Sequence, residues 1–151
     1  MIESEHHEVR AAIDDAVEAT ADTLLEVSHA IHENPELAFA EHFACATLAD
    51  ALRERELPVS TSVYTLPTAF ESTINPKVQG PTVAVLAEYD ALPEIGHACG
   101  HNIIATTALG AAFALDAVKA QLPGRIKLLG TPAEERGGGK ELMARAGAFA
   151  D

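Results

Sequence analysis

Apolar residues recur at steps of three and four between Glu8 and Glu33: Ile13, Val17, Ala21, Leu24, Val27 and Ile31. Asp14, Asp15, Glu18, Asp22 and Glu26 fill positions between them. This spacing puts the two sets on opposite faces of a helix and predicts one amphipathic helix over residues 8–33. Asn34-Pro35 ends it, because the proline ring crowds the preceding residue out of helical geometry. A second helix is expected over 41–56, with Phe43, Leu48 and Leu52 turned inward and Leu57-Pro58 closing it.

Beyond Pro58 the period changes. Val59, Thr61, Val63 and Thr65 alternate and are β-branched, which predicts a strand, with residues 68–74 as its partner. Asn75-Pro76 and Gly80-Pro81 mark a turn. The uninterrupted apolar run TVAVLA, residues 82–87, predicts a strand buried on both faces, as in a parallel sheet. A long helix rich in Ala and Leu is expected over 102–121, closed by Pro123-Gly124. Another buried strand follows over 125–129, and a last helix begins near Gly139. Strands alternating with helices place the chain in the α/β class, as a mostly parallel sheet flanked by helices in a single unit spanning 1–151.

Composition narrows the setting. At 48% hydrophobic residues the chain can form a core, and disorder is not indicated. Its two cysteines, Cys45 and Cys99, lie far apart in sequence. They form no disulfide framework, and a reducing, cytoplasmic location is expected. The opening MIESEHHEVR lacks the basic start and apolar run of a secretory signal, and no apolar stretch is long and charge-free enough to span a bilayer. A formal charge of −13 repels phosphate backbones and anionic membranes, so neither is an expected partner.

In α/β sheets, ligands sit beyond the carboxyl ends of the strands. The loops expected there are EYDALPEIGHACGHN, residues 88–102, and GTPAEERGGGK, residues 130–140. Cys99 and His101 flank Gly100, and thiolate and imidazole are both good zinc ligands. The helix that follows directs its N-terminal dipole at the loop, which favours the thiolate. Asp90, where the strand runs out, could bind a metal or accept the ring N–H of a ligating histidine. Glu134 and Glu135 are neighbours, so in extended chain their side chains point opposite ways. One can face a metal while the other faces water or substrate, a division that metal-assisted hydrolysis needs.

Duller roles compete. Cys99 could be a small hydrophobe, His101 a helix-start residue, Asp90 a turn residue and the glutamate pair a solvated loop. His97 is balanced between supporting a site and being plain loop. Cys45 is expected in the core, and His29, His32 and His42 on the surface or in packing. A redox thiol at Cys99 lacks a resolving cysteine nearby. His32-Glu33 begins like HExxH, but Glu36 stands where the second histidine belongs. GGGK resembles the end of a phosphate loop, but Glu141 follows where Ser or Thr is required.

AVLAEYDALPEIGHACGHN and GTPAEERGGGK, together with the earlier IHENPELAFAEH, resemble the aminoacylase/carboxypeptidase metallohydrolases, peptidase family M20. The similarity is to the amidohydrolase branch that cleaves aminobenzoyl-glutamate, indole-acetyl amino acids and certain dipeptides. The resemblance implies the N-terminal part of a catalytic domain that uses two divalent ions, zinc or manganese, to hydrolyse the amide of an N-acyl amino acid or dipeptide. It implies Cys99, His101 and Glu135 as metal ligands, Glu134 as general base, and Asp90 as a residue supporting the site from behind. Family members are longer, with further histidine ligands and a lid domain used for homodimerisation. This sequence has no histidine after His101. The resemblance therefore implies a truncated form. The alternative is a non-catalytic metal-binding fragment that needs a second polypeptide.

Overall fold

The computed structural model describes residues 2–150. Helices α1 (Ile2–Glu18), α2 (Ala21–Glu33) and α3 (His42–Glu54) come first, then strands β1 (Ser60–Thr61), β2 (Phe70–Ile74) and β3 (Thr82–Ala87). Helix α4 (His101–Ala117), strand β4 (Arg125–Gly130) and helix α5 (Gly139–Arg145) complete the order, with a single 3-10 turn, Lys119–Gln121, after α4.

The one helix expected over 8–33 is two. At Thr20 the backbone leaves helical geometry (φ −112°, ψ 1°), and its buried hydroxyl donates to the carbonyls of Ala16 (2.9 Å) and Val17 (3.1 Å). A threonine hydroxyl bonded to the preceding turn competes with the helix's own ladder. The expected apolar stripe is buried only towards its end, at Val27 and Ile31, while Val17 remains 42% exposed.

Helix α3 is capped from the preceding turn: the Glu36 carboxylate accepts the N–H groups of Phe43 (2.9 Å) and Ala44 (3.0 Å). It thereby satisfies donors that a helix start leaves orphaned. Phe43 is exposed, contrary to its expected inward position. The row Ala44, Leu48, Leu52 faces the core at helical spacing, and Phe43 sits one position off it. Cys45 is in the core, as expected.

The strand expected over 59–65 shrinks to two residues, because Ser62, Tyr64 and Thr65 all take positive φ and turn the chain. The four strands run in the order β1-β2-β4-β3. The expected parallel pairing holds only between β3 and β4, with Thr82 opposite Arg125 and Ala87 opposite Gly130. The β1–β2 and β2–β4 pairings are antiparallel, so the sheet is mixed. A short connection such as that from β1 to β2 returns the chain antiparallel, whereas the helical crossover through α4 permits the parallel pair.

β3 is not buried on both faces. Among the described residues it pairs with β4 alone, and Val83 is 55% exposed. An apolar run marks a strand that calls for cover; it does not say which segment supplies it. β4 is the covered strand. Leu128 packs with Leu48, Leu52, Phe70, Tyr89, Leu109 and Phe113 against α3 and α4. Its neighbour Leu129 points the other way, into a cluster with Leu66, Ala69 and Met143 of α5. Helices therefore cover both faces of the sheet, and the carboxyl ends of β3 and β4 emerge side by side. No helix among the described residues is long and apolar enough to cross a membrane.

Candidate metal centre

β3 ends at Ala87, and Glu88, Tyr89 and Asp90 follow it directly. Tyr89 turns into the core and donates its hydroxyl to the Thr68 carbonyl at 2.6 Å. Glu88 and Asp90, two apart, therefore share the opposite side. His101 opens α4 and is 4% exposed. Its Nδ1 lies 2.8 Å from the Asp90 carbonyl oxygen and 3.2 Å from Asp90 Oδ1. A carbonyl can only accept, so Nδ1 carries the proton and Nε2 of the neutral ring keeps its lone pair.

That lone pair faces carboxylates. Nε2 is 3.5 Å from Glu88 Oε2, 3.7 Å from Glu135 Oε1 and 3.8 Å from Glu134 Oε2. These separations are too long for hydrogen bonds. They suit ligands of one cation, since metal–ligand bonds of about 2.0–2.2 Å leave neighbouring donor atoms roughly 3.4 Å apart. Donor atoms of Glu88, His101 and Glu134 all lie within 4.8 Å of one another. One imidazole and several carboxylates form a hard, nitrogen-and-oxygen donor set that fits zinc or manganese.

Asp90 ties the two loops together. Its Oδ1 and carbonyl oxygen hold His101, and its Oδ2 accepts the backbone N–H of Glu135 at 2.9 Å. A second buried carboxylate, Glu41, supports the other loop. Its Oε1 accepts the N–H of Ala133 (2.8 Å) and of Phe39 (3.0 Å), and its Oε2 accepts the Thr68 hydroxyl (2.9 Å). Ala133 has φ 58°, so Glu41 holds a left-handed residue immediately before Glu134. Burial raises the Glu41 carboxyl above its ordinary 4.5, against the hydrogen bonds that lower it.

Cys99 is exposed, and its thiol lies against the Glu135 carboxylate. That hydrogen bond comes first among the causes that raise the thiol's pKa, so the thiolate that the helix dipole was expected to favour is not favoured here. Cys99 stands outside the group of donors within 4.8 Å, as does Glu135. Cys45 and Cys99 are both free, and burial pushes the Cys45 thiol up to about 11. His97 is buried, its ring 6.3 Å from that of His32, and burial is the first cause lowering its pKa. A cleft of about 330 Å³ beside Glu135 is lined by Leu37, Phe39, Ala91 and Pro93.

The structure thus gathers Asp90, His101, Glu134 and Glu135, with Cys99 against Glu135. Sequence reasoning missed Glu88 and Glu41. The spacing of Glu88 from Asp90 carried a signal, since alternate residues of an extended segment share a side. Nothing local marks Glu41, whose partners Thr68 and Ala133 are distant in sequence.

Residues 84–151 match Peptidase family M20/M25/M40. The chain is 43% identical over 145 residues to the Xaa-Arg dipeptidase of Mus musculus, covering 88% of this chain and 34% of that protein. It is 35% identical over 164 residues to one of the p-aminobenzoyl-glutamate hydrolase polypeptides of Escherichia coli (strain K12), covering 95% of this chain and 34% of that protein. Among solved structures it superimposes on a dinuclear metal binding peptidase of family M20 from Bacillus subtilis. That match has a TM-score of 0.79 at 27% identity and covers 87% of this chain and 41% of the other. The chain spans about a third of the length of the curated relatives it matches.

Proposed function

Because residues 84–151 match peptidase family M20/M25/M40, we propose that the chain carries part of a metal-dependent hydrolase centre acting on the amide bond of an N-acyl amino acid or dipeptide. One observation carries this reading: the protonated Nδ1 of His101 is fixed on Asp90 while Nε2 faces the carboxylates of two loops. Relatives named as a dipeptidase and as an aminobenzoyl-glutamate hydrolase supply the substrate class.

His101, Glu135 and Cys99 would hold the divalent ions, zinc or manganese. When bound, these supply Lewis acidity that makes a water easier to deprotonate and polarises the substrate carbonyl. Glu134 takes a proton from the attacking water and delivers it to the leaving amine. Its side chain is 40% exposed, so it is open to water, as a group that exchanges protons must be. Asp90 holds the His101 tautomer and, through the Glu135 N–H, fixes the second loop to the first. Glu41 fixes the backbone just ahead of Glu134.

The test is metal analysis of the purified chain followed by a hydrolysis panel of N-acyl amino acids and dipeptides, including dipeptides ending in arginine. Bound metal with hydrolysis supports the full reading. Bound metal without hydrolysis supports a metal-binding piece that needs a second polypeptide. That reading is favoured by the single histidine in the donor cluster among the described residues. Absence of metal binding removes both.

A further inference from the structure

The GGGK stretch is not a phosphate loop, yet its lysine reaches the site. Lys140 is the second residue of α5, and its Nζ lies 2.7 Å from Glu88 Oε1 and 3.9 Å from Glu134 Oε1. Glu88 and Glu134 are the same two carboxylates that group with His101 around a candidate cation. A tethered cation therefore already leans on carboxylates that face the candidate cation site.

The glycines bring it there. Gly138 takes φ 67°, a left-handed conformation. At Gly139 a Cβ would lie 1.8 Å from the Pro132 carbonyl oxygen, so no larger residue fits. The Gly139 N–H donates to the Ala133 carbonyl at 3.1 Å, folding the chain back on the residue before Glu134. Within five residues the chain leaves the glutamate pair and returns an ammonium group to it.

Resting on the metal-centre reading above, we propose that Glu88 is an additional ligand of the centre and that Lys140 is its internal competitor. In the metal-free chain the ammonium group neutralises Glu88 and Glu134. With a divalent ion held beside His101 Nε2, Glu88 would turn to it and give up Lys140, since two cations sharing these oxygens repel each other. Lys140 sets how tightly the centre takes metal. A salt bridge serving only the fold would change thermal stability and leave metal affinity alone.

Calorimetric titration of zinc ion into the full 151-residue chain and its variants tests this, with circular dichroism and a thermal melt confirming that each variant is folded. Lys140→Met tightens zinc binding about fivefold by removing the competing charge. Lys140→Arg keeps that charge and stays near wild type. Glu88→Gln weakens binding roughly tenfold or more, as loss of a group at a metal site does. Unchanged or weaker binding in Lys140→Met, or unchanged binding in Glu88→Gln, overturns this proposal while the metal-binding wild type leaves the centre itself standing. A folded wild-type chain that takes up no zinc overturns both.

Discussion

The two sides of the site are built differently. The inner wall is buried: Asp90 is 1% exposed and His101 4%, and every contact between them is short. The outer wall is open: Cys99 is exposed, and the side chain of Glu134 is 40% exposed. The inner wall fixes the direction of one donor atom, His101 Nε2, by holding Nδ1 on Asp90. The outer wall offers several oxygens and a thiol that can rearrange around that ion. The inner residues hold geometry and the outer ones are those proposed to do chemistry, so substitutions on the two sides should differ accordingly.

Asp90→Ala should have the largest effect on stability. It strands the Glu135 N–H and removes one of the two oxygens that hold His101, costing about 3 kcal/mol for buried donors left unpaired. Metal affinity should fall by roughly 10–100-fold with it. Thermal unfolding and metal titration read the two effects separately. Glu41→Ala should come next, at about 2 kcal/mol, because it leaves the Phe39 and Ala133 N–H groups without their acceptor.

Glu41→Gln should be tolerated, since one amide oxygen can accept both N–H groups while the amide nitrogen donates to Thr68. It also checks a sign. The folded-state pKa of Glu41 is raised, so between the ordinary value of 4.5 and that higher value the folded chain binds more protons than the unfolded one. Stability contributed by the protonated carboxyl is present below 4.5 and is lost as pH rises through the folded value. Denaturant unfolding across mildly acidic pH should show that slope in wild type and a weaker one in Glu41→Gln. An unchanged slope would assign the pH dependence to another group.

Cys99→Ser should leave stability within about 0.5 kcal/mol, because the side chain is exposed. It should weaken metal binding and remove the thiolate-to-metal absorption band of the cobalt-substituted protein. Glu134→Gln should have the smallest effect on the fold and on metal content while abolishing hydrolysis wherever hydrolysis is measured. If both outer-wall variants unfolded the chain as Asp90→Ala does, the division between the walls would be wrong.

The sequence revealed the two walls unequally. His101 and Asp90 were legible because a strand, a loop and a helix start occur in fixed order, and ligands gather where strands end. The glutamate pair was legible for the same reason. The contribution of Glu41 was not, because its three partners come from segments up to 92 residues apart and no local period encodes them. Two fold features failed for a related cause. The apolar stripe of 8–33 could not reveal that Thr20 would bond its own preceding turn, and the apolar run of β3 could not reveal that only one strand pairs with it among the described residues. Periodicity reports which face seeks burial, whereas burial itself depends on distant partners.

The most direct test of the central claim is a crystal structure of the chain grown with zinc ion, with the ion located by its anomalous scattering. A peak is expected about 2.1 Å from His101 Nε2 and within bonding distance of a carboxylate from the 134–135 loop. Zinc bound elsewhere, with Nε2 of His101 free of metal, would contradict that claim.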